Sequence, residues 1–391
     1  MKKNICHIFF EEYPKDTRIR RYVNFIKKYD YKVFIICLKT PNMRYVESNQ
    51  NEKIFRIPIQ KKRSSFIRRI WEYFQFQVFA TLLASYVCLV HNVRLFHVHT
   101  LPDFLVFSCL IAKAANSRII LDFHELFPES MSQMTGKNNN SITIKMIKLQ
   151  EKLSYLFANA IIAFHDPARE ILTNRYKKYN KRITTVMNSI DTDEIPIIKK
   201  IKSHKLIIVY NGTINENLNL TFVVETLNRL RVTNPKLFYK IEYRLYGDGP
   251  DLKNILNLSK KYNLNNVIYF GRLKYKDMIK ELSQASLCIL PPKKDVYSDL
   301  YYSLKLIEMI YLKVPVIATR LNTYQKYYPE CCILYFDSMD MQQLIEKIEF
   351  FYNNPTKVLK YTEKAFRKYQ DYNWTKNSEN YLQVIHRLVE N

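Results

Sequence analysis

Short apolar runs alternate with segments of helical period along the whole chain, and that alternation is the mark of parallel, doubly wound sheets. In the first half the expected strands are Ile5–Phe10, Lys32–Leu38, Leu95–Val98, Arg118–Phe123, Ala160–Phe164 and Ile183–Met187. Helices are expected over Thr17–Tyr29, Phe104–Ala115 and Ile142–Phe157. The second half offers strands at Leu206–Tyr210, Tyr239–Tyr246, Asn266–Phe270, Leu287–Leu290, Val314–Ala318 and Ile333–Phe336. A chain of 391 residues is too long for one ordinary core. Two α/β lobes are therefore expected, over 1–190 and 205–370, with a linker at 191–204 and a closing segment at 371–391. Ligands of such lobes bind at the carboxyl ends of strands, here in a cleft between the lobes.

Glycine is scarce: the chain has five, against an average usage of about 7%. Those kept in so poor a background mark backbone positions where a side chain would clash. Four of them, Gly212, Gly247, Gly249 and Gly271, fall in the second half. Asn211-Gly212-Thr213 closes a strand, Gly247-Asp248-Gly249-Pro250 joins a strand to a helix, and Gly271-Arg272 ends another strand. Backbone of this kind can approach a diphosphate or a nucleobase edge, with Thr213 as a hydrogen-bond donor.

Ser303-Leu304-Lys305-Leu306-Ile307-Glu308 leads into the strand Pro315–Thr319. Lys305 and Glu308 are three apart and share a helix face. Exposed pairs of that spacing are ordinarily weak salt bridges. Beside the end of a parallel sheet, a cation and a carboxylate instead suit a phosphate and a sugar hydroxyl.

In the first half, Phe96-His97-Val98-His99-Thr100 and Leu121-Asp122-Phe123-His124-Glu125 carry histidines at strand ends, with His97 and His99 on one face. These are metal-ligand types, but no regular ligand spacing accompanies them and no metal is expected. His124 is the candidate for a catalytic or sugar-contacting role. Asp16-Thr17-Arg18-Ile19-Arg20-Arg21 opens a helix that Asp16 or Thr17 can cap, its arginines facing either solvent or the cleft, with a solvated basic face the preferred expectation.

The formal charge of +25 favours anionic partners. Gln60–Phe74 interleaves basic residues with aromatics, and either enters an anionic membrane surface or packs its aromatic side on the first lobe. No nucleic-acid-binding module is visible, so nucleic acid is not expected as a partner. Phe74–Val90 contains Gln75, Gln77, Thr81 and Ser85 and reads as too short to span a bilayer. A soluble or peripheral protein is expected. Seven cysteines without a C-x-x-C pair read as buried free thiols of a reducing compartment.

Several segments taken in order carry a family resemblance. In the first half these are Tyr13-Pro14-Lys15-Asp16-Thr17-Arg18, His97-Val98-His99, Asp122–Glu129 and Asn188-Ser189-Ile190-Asp191. In the second they are Asn211-Gly212-Thr213, Tyr246–Pro250, Phe270-Gly271-Arg272, Ser303–Glu308 and Pro315–Thr319. Together they resemble the retaining nucleotide-sugar glycosyltransferases of family 4, whose GT-B fold sets two doubly wound Rossmann-like domains around a central cleft. Trp374 resembles the tryptophan before that family's final helix, which returns to the first lobe.

The resemblance implies a hexosyl transfer in which the second lobe binds a UDP- or GDP-sugar through Gly212, Thr213, Gly247, Gly249, Gly271 and Arg272. Lys305 would face the diphosphate and Glu308 the ribose. The first lobe would take a polysaccharide or lipid-linked glycan acceptor at the cytoplasmic face of the membrane. Asp16, Arg18, His99, Asp122 and Glu125 would lie on the acceptor side, and His124 beside the transferred sugar. No metal or other cofactor is implied. Two positions depart from the family: Leu300 stands where a first glutamate is usual, with Asp299 or Asp295 as substitutes. Leu218 stands where a basic residue is usual, with Arg272 or Lys274 to compensate. The sequence leaves two alternatives: a nucleotide-sugar 2-epimerase-like isomerase, and a catalytically weakened relative that binds membranes or polyanions.

Overall fold

The computed structural model describes residues 3–61, 66–136, 141–179, 181, 183–190, 192, 195 and 203–390. Asp191, most of the expected linker, and residues 62–65 of the basic and aromatic segment lie outside them. The chain divides into two compact units, Met1–Asn188 with Trp374–Asn391, and Ser189–Asn373.

The first unit runs β1 (Asn4–Glu12), α1 (Thr17–Lys27), β2 (Lys32–Leu38), β3 (Val46–Ser48), β4 (Glu52–Ile57), α2 (Phe66–Val90), β5 (Leu95–His99), α3 (Leu110–Ala114), β6 (Arg118–Asp122), α4 (Phe127–Thr135), α5 (Ile142–Phe157), β7 (Ala160–Ala163), α6 (Asp166–Tyr176) and β8 (Ile183–Thr185). Its strands form one sheet in the order β3-β4-β2-β1-β5-β6-β7-β8. Every neighbouring pair is parallel except β3 with β4. The order reverses at β1: α1 leads outward to β2, whereas α2 carries the chain back to β5. Crevices at such reversals are where α/β sheets bind ligands, and the carboxyl ends of β1, β5 and β6 meet at this one.

Three features of this unit differ from the sequence reading. The short hairpin β3–β4 was not foreseen, being mostly polar at its edge strand. The expected helix Phe104–Ala115 opens as 3-10 turns over Asp103–Cys109 before α3. The apolar run Phe74–Val90 is not short: it continues a single 25-residue helix, α2, long and apolar enough by length and composition to cross a membrane. Its polar residues do not interrupt it, because the hydroxyls of Thr81 and Ser85 donate back to the carbonyls of Gln77 and Thr81, each at 2.7 Å.

The second unit runs β9 (Leu206–Thr213), α7 (Leu220–Thr233), α8 (Pro235–Phe238), β10 (Ile241–Asp248), α9 (Leu252–Lys261), β11 (Val267–Gly271), α10 (Tyr275–Ser283), β12 (Leu287–Leu290), α11 (Leu304–Tyr311), β13 (Val316–Thr319), α12 (Asn322–Tyr327), β14 (Leu334–Phe336), α13 (Met341–Asn353) and α14 (Pro355–Gln370). All six strands are parallel, in the order β11-β10-β9-β12-β13-β14. The reversal here falls between β9 and β12, and α11 begins after the loop leaving β12. The cysteines are free and buried, with Cys331 alone exposed because it lies in the turn ahead of β14.

The last helix, α15 (Trp374–Val389), belongs to the first unit. Tyr381, Val384 and Ile385 join Ile19, Tyr22 and Val23 in its core. The Asn377 side chain accepts from the Met187 amide at 2.6 Å, and Trp374 meets Tyr22 edge-on at 5.6 Å.

Candidate active site

In the second unit the carboxyl end of β9 and the first turns of α11 converge. Asn211, the last buried residue of β9, donates from Nδ2 to Glu308 Oε2 at 3.1 Å. The next residue, Gly212, has φ +106, and a Cβ there would stand 2.5 Å from Lys305 Cε. Gly212 pairs across the sheet with Gly247. A Cβ on Gly247 would stand 1.9 Å from the Gly212 carbonyl oxygen, and one on Gly249 would come as close to that of Ile214. Scarce glycine is therefore spent on one packed knot that lets the Lys305 side chain cross the strand end. Gly271 needs its glycine for φ +76 alone, since open space surrounds it.

Lys305 Nζ rests 5.2 Å from the Tyr210 ring centroid. Among the described residues it has no hydrogen-bond or ion-pair partner. Burial lowers its pKa and Glu308 opposes that shift. Burial likewise pushes the Glu308 carboxyl up to about 7, against the Asn211 hydrogen bond and the Lys305 charge. A half-buried ammonium without an anion, a carboxyl able to exchange hydrogen bonds with hydroxyls, and the free N–H groups opening α11 make a receptacle for an anion and a diol.

The remaining second-unit candidates lie at the same sheet edge in looser settings. Thr213 is exposed, and its carbonyl accepts from Tyr210 Oη at 2.7 Å. Arg272 is exposed, 3.4 Å from Asp248. Asp299 accepts from the Asn322 amide at 2.9 Å and lies 3.6 Å from Lys294, while Asp295 accepts from the amides of Tyr297 and Ser298. Both carboxylates thus hold loop backbone. A cation that sequence reasoning missed is Lys293: its amide donates to the Asn217 carbonyl at 2.9 Å and its Nζ lies 3.1 Å from Glu216. That sets it against the loop holding Leu218, where the family resemblance implies a basic residue. The only signal was a Lys-Lys pair just after β12, far away in sequence.

In the first unit the structure corrects the solvated arginine face. Arg18 and Arg21 are buried, because the inward side of α1 lies over the carboxyl edge of the sheet. Arg18 donates to both oxygens of Asp122, at 2.8 and 3.2 Å, and to the Val186 carbonyl at 2.9 Å. Arg21 donates to Asn188 Oδ1 at 2.7 Å. Asp16 caps α1 by accepting from the Ile19 amide at 3.0 Å. Arg18 and Asp122 are therefore anchors rather than groups offered to a ligand.

Around Asp122 gather His97, His99 and His124, at 3.6, 3.3 and 3.5 Å. His124 Nε2 lies 3.1 Å from His99 Nδ1, and His99 Nε2 lies 3.0 Å from His7 Nδ1. His97 Nδ1 reaches Tyr381 Oη at 3.0 Å. Burial would raise the Asp122 pKa, but Arg18 and the imidazoles outweigh it and hold the carboxyl well below its usual range. Burial lowers His7, His97 and His99, so the inner imidazoles are neutral at pH 7. His124 is half-buried at the edge of this network, its amide bound to Thr100 Oγ1 at 3.0 Å, with half-buried Glu125 next to it.

Two histidine groups here, His7/His97/His99 and His99/Asp122/His124, have ligand atoms within 4.8 Å of one another. Their geometry suits hydrogen bonding better than ligation. His99 lies at hydrogen-bond distance from both His7 and His124, and Arg18 already engages both Asp122 oxygens.

Residues 17–194 match the model for Glycosyltransferase Family 4, and residues 191–368 match that for Glycosyl transferases group 1. Among solved structures, sucrose-phosphate synthase from Thermosynechococcus elongatus is 15% identical, with 99% of each chain covered and a TM-score of 0.76. A glycosyltransferase from Rickettsia africae is 14% identical over 100% of this chain and 99% of its own, with a TM-score of 0.71. A trehalose-6-phosphate structure from E. coli, bound with UDP-2-fluoro glucose, is 10% identical over 97% and 98% of the chains, with a TM-score of 0.73. No curated protein matches. Likeness at these identities is one of fold. With family models matched to both halves, the chain belongs to the family 4-like GT-B glycosyltransferases, and it is an enzyme of that class.

Proposed function

We propose that the chain is a retaining hexosyltransferase. It would move a sugar from a UDP- or GDP-sugar to a hydroxyl of a cell-surface polysaccharide or of a lipid-linked glycan at the cytoplasmic face of the membrane. The acceptor oxygen forms the new bond to the anomeric carbon as the bond to the diphosphate breaks and its electron pair leaves with phosphate. The acceptor's proton passes to the departing phosphate or solvent. Charge gathering on the leaving group meets the Lys305 ammonium and the N–H groups opening α11, donors that need no metal to act. Glu308 accepts from the ribose hydroxyls. Gly212, Gly247 and Gly249 keep the cradle free of side chains, with Thr213, Gly271 and Arg272 at its rim. In the first unit, His124 is the residue we assign to contact with the transferred sugar, and Glu125 and the Asp16 loop those we assign to the acceptor.

The observation that carries this reading is the Lys305 ammonium laid over Gly212 without an anion of its own. The UDP-2-fluoro glucose of the similar E. coli structure supports a nucleotide-sugar donor. Calorimetry against a panel of UDP- and GDP-sugars tests it. One donor should bind, and Lys305→Ala should weaken it by at least about tenfold, the loss of a charged hydrogen bond to phosphate. No binding across the panel, or an unchanged affinity in the variant, rejects the reading. Product analysis with donor alone separates transfer from epimerisation.

A further inference from the structure

The helices α2, α3 and α5 cover one face of the first sheet, since each carries the chain across it toward β8 by the same right-handed crossover. They pack side by side: α2 meets α3 and the 3-10 turns before it, and α5 meets those turns from the other side. On α2 the inner side is buried, with Phe76, Ala80, Ala84 and Val87 against the sheet. The outer side is a stripe of large apolar groups at helical spacing, Trp71, Phe74, Val78, Leu82 and Leu89, with Trp71 56% and Leu82 63% exposed. The stripe widens through exposed Leu110 and Ile111 at α3. On α5 a second stripe, Ile142, Met146, Leu149 and Leu153, repeats the pattern. Soluble monomers rarely expose apolar surface on this scale without a partner.

Charge around the stripes selects the partner. From Ile70 to Val90 the single charged residue is Glu72, which is buried and paired with Arg68. The single acid of α5, Glu151, is buried and bound to Arg175 and Tyr176. Basic residues accompany the stripes: exposed Arg69 in the first turn of α2, and Lys145, Lys148 and Lys152 along α5. The outward surface of the three helices therefore presents hydrocarbon, aromatic rings and positive charge, with no exposed carboxylate. A helix with one flank built into a sheet cannot also cross a bilayer, so α2 is suited to lie in the plane of an interface despite its length.

We infer that α2, α3 and α5 form a docking face for a bilayer containing anionic lipid. The stripes enter the acyl boundary, Trp71 sits at headgroup depth, and Arg69 with Lys145 and Lys148 meets the phosphates. The inference stands on its own observations. It deepens the proposed function by giving a lipid-linked acceptor a surface on which to be met.

The test is flotation of the full chain with phosphatidylcholine vesicles, with and without phosphatidylglycerol, in the absence of any donor. The protein should float with the anionic vesicles and be released by salt. Leu82→Asp with Leu149→Asp should reduce binding by at least about tenfold. Arg69→Glu with Lys145→Glu should remove the preference for anionic lipid. Both pairs change exposed positions, and circular dichroism with thermal unfolding of each variant is the check that the first unit still folds. Trp71 emission should shift to the blue on vesicles and be quenched by brominated lipid, and Trp71→Phe should abolish both signals. Absence of flotation, equal flotation of the Asp pair, or a dimer in sedimentation that the Asp pair dissolves without any vesicle binding would overturn the inference. Because no donor is present, failure here leaves the transferase reading untouched.

Discussion

His124 Nε2 lies 3.1 Å from His99 Nδ1, and this contact ties the edge of the first unit's site to its interior. His99 in turn reaches His7 at 3.0 Å. A neutral imidazole has one N–H, so three rings in file share two tautomeric arrangements. When each Nε2 donates inward, His124 presents Nδ1 as an acceptor; when the file reverses, it presents Nδ1–H. The state of the outer ring is thus set jointly with two buried ones.

His124→Ala should therefore cut turnover by about tenfold or more with donor affinity unchanged. His99→Phe, which keeps the ring but breaks the file, should lower turnover and alter its pH profile without altering donor binding. Steady-state kinetics across pH 6–9 checks both. A His99→Phe enzyme with a wild-type profile would show that the file is only packing.

Glu308 gives the ligand-free protein a pH dependence of definite sign. An unfolded chain releases this proton near pH 4.3, whereas burial holds it in the fold to about 7. Below the unfolded value the contribution to stability is full, and it is lost as pH rises through about 7. The loss is roughly 4 kcal/mol at about 1.4 kcal/mol per pH unit. Glu308→Gln, neutral throughout, should be less sensitive to the change from pH 5 to pH 8 than wild type. Urea midpoints at the two pH values measure it, and parallel shifts in the two proteins would refute it.

Arg18 and Asp122 stand or fall together. Removing one leaves the other charged and buried, so Arg18→Ala should cost roughly 3–5 kcal/mol. Arg18→Met with Asp122→Leu should recover part of that loss. Thermal unfolding of the single and double variants reads the coupling, and additive effects would count against it.

Lys293 offers a cation beside the Leu218 loop, tethered there by its own amide and by Glu216. If it takes over the missing basic residue's share of phosphate charge, Lys293→Ala lowers turnover by about fivefold or more, near 1 kcal/mol. Lys274→Ala, an exposed position ahead of α10, should leave turnover unchanged. Equal effects of the two would assign Lys293 to loop packing.

The sheets were readable because parallel strands are apolar on both faces and helices punctuate them, so both lobes and the strands bearing His97, His99, Asp122, Gly212 and Gly247 stood out. Rare glycine located the cradle, since each of Gly212, Gly247 and Gly249 meets backbone or Lys305 where a Cβ would go. The arginines of α1 were misread because local pattern cannot show that Asp122, 104 residues from Arg18, waits inside. The length of α2 was misread for a related reason: Thr81 and Ser85 count as polar in sequence yet satisfy themselves within the helix. Lys293 stayed hidden because Glu216, in the loop it serves, lies 77 residues away in sequence. Long-range pairing of polar groups is the part that periodicity does not encode.

The placement of α15 has a consequence for how the chain comes off the ribosome. Tyr381 fills the first unit's core and binds His97, so that unit waits for residues that follow the whole second unit to be synthesised before its interior can close. The middle of the chain has all its strands and glycines available earlier. Domains usually mature in the order they are translated; here the half made first would be the half finished last.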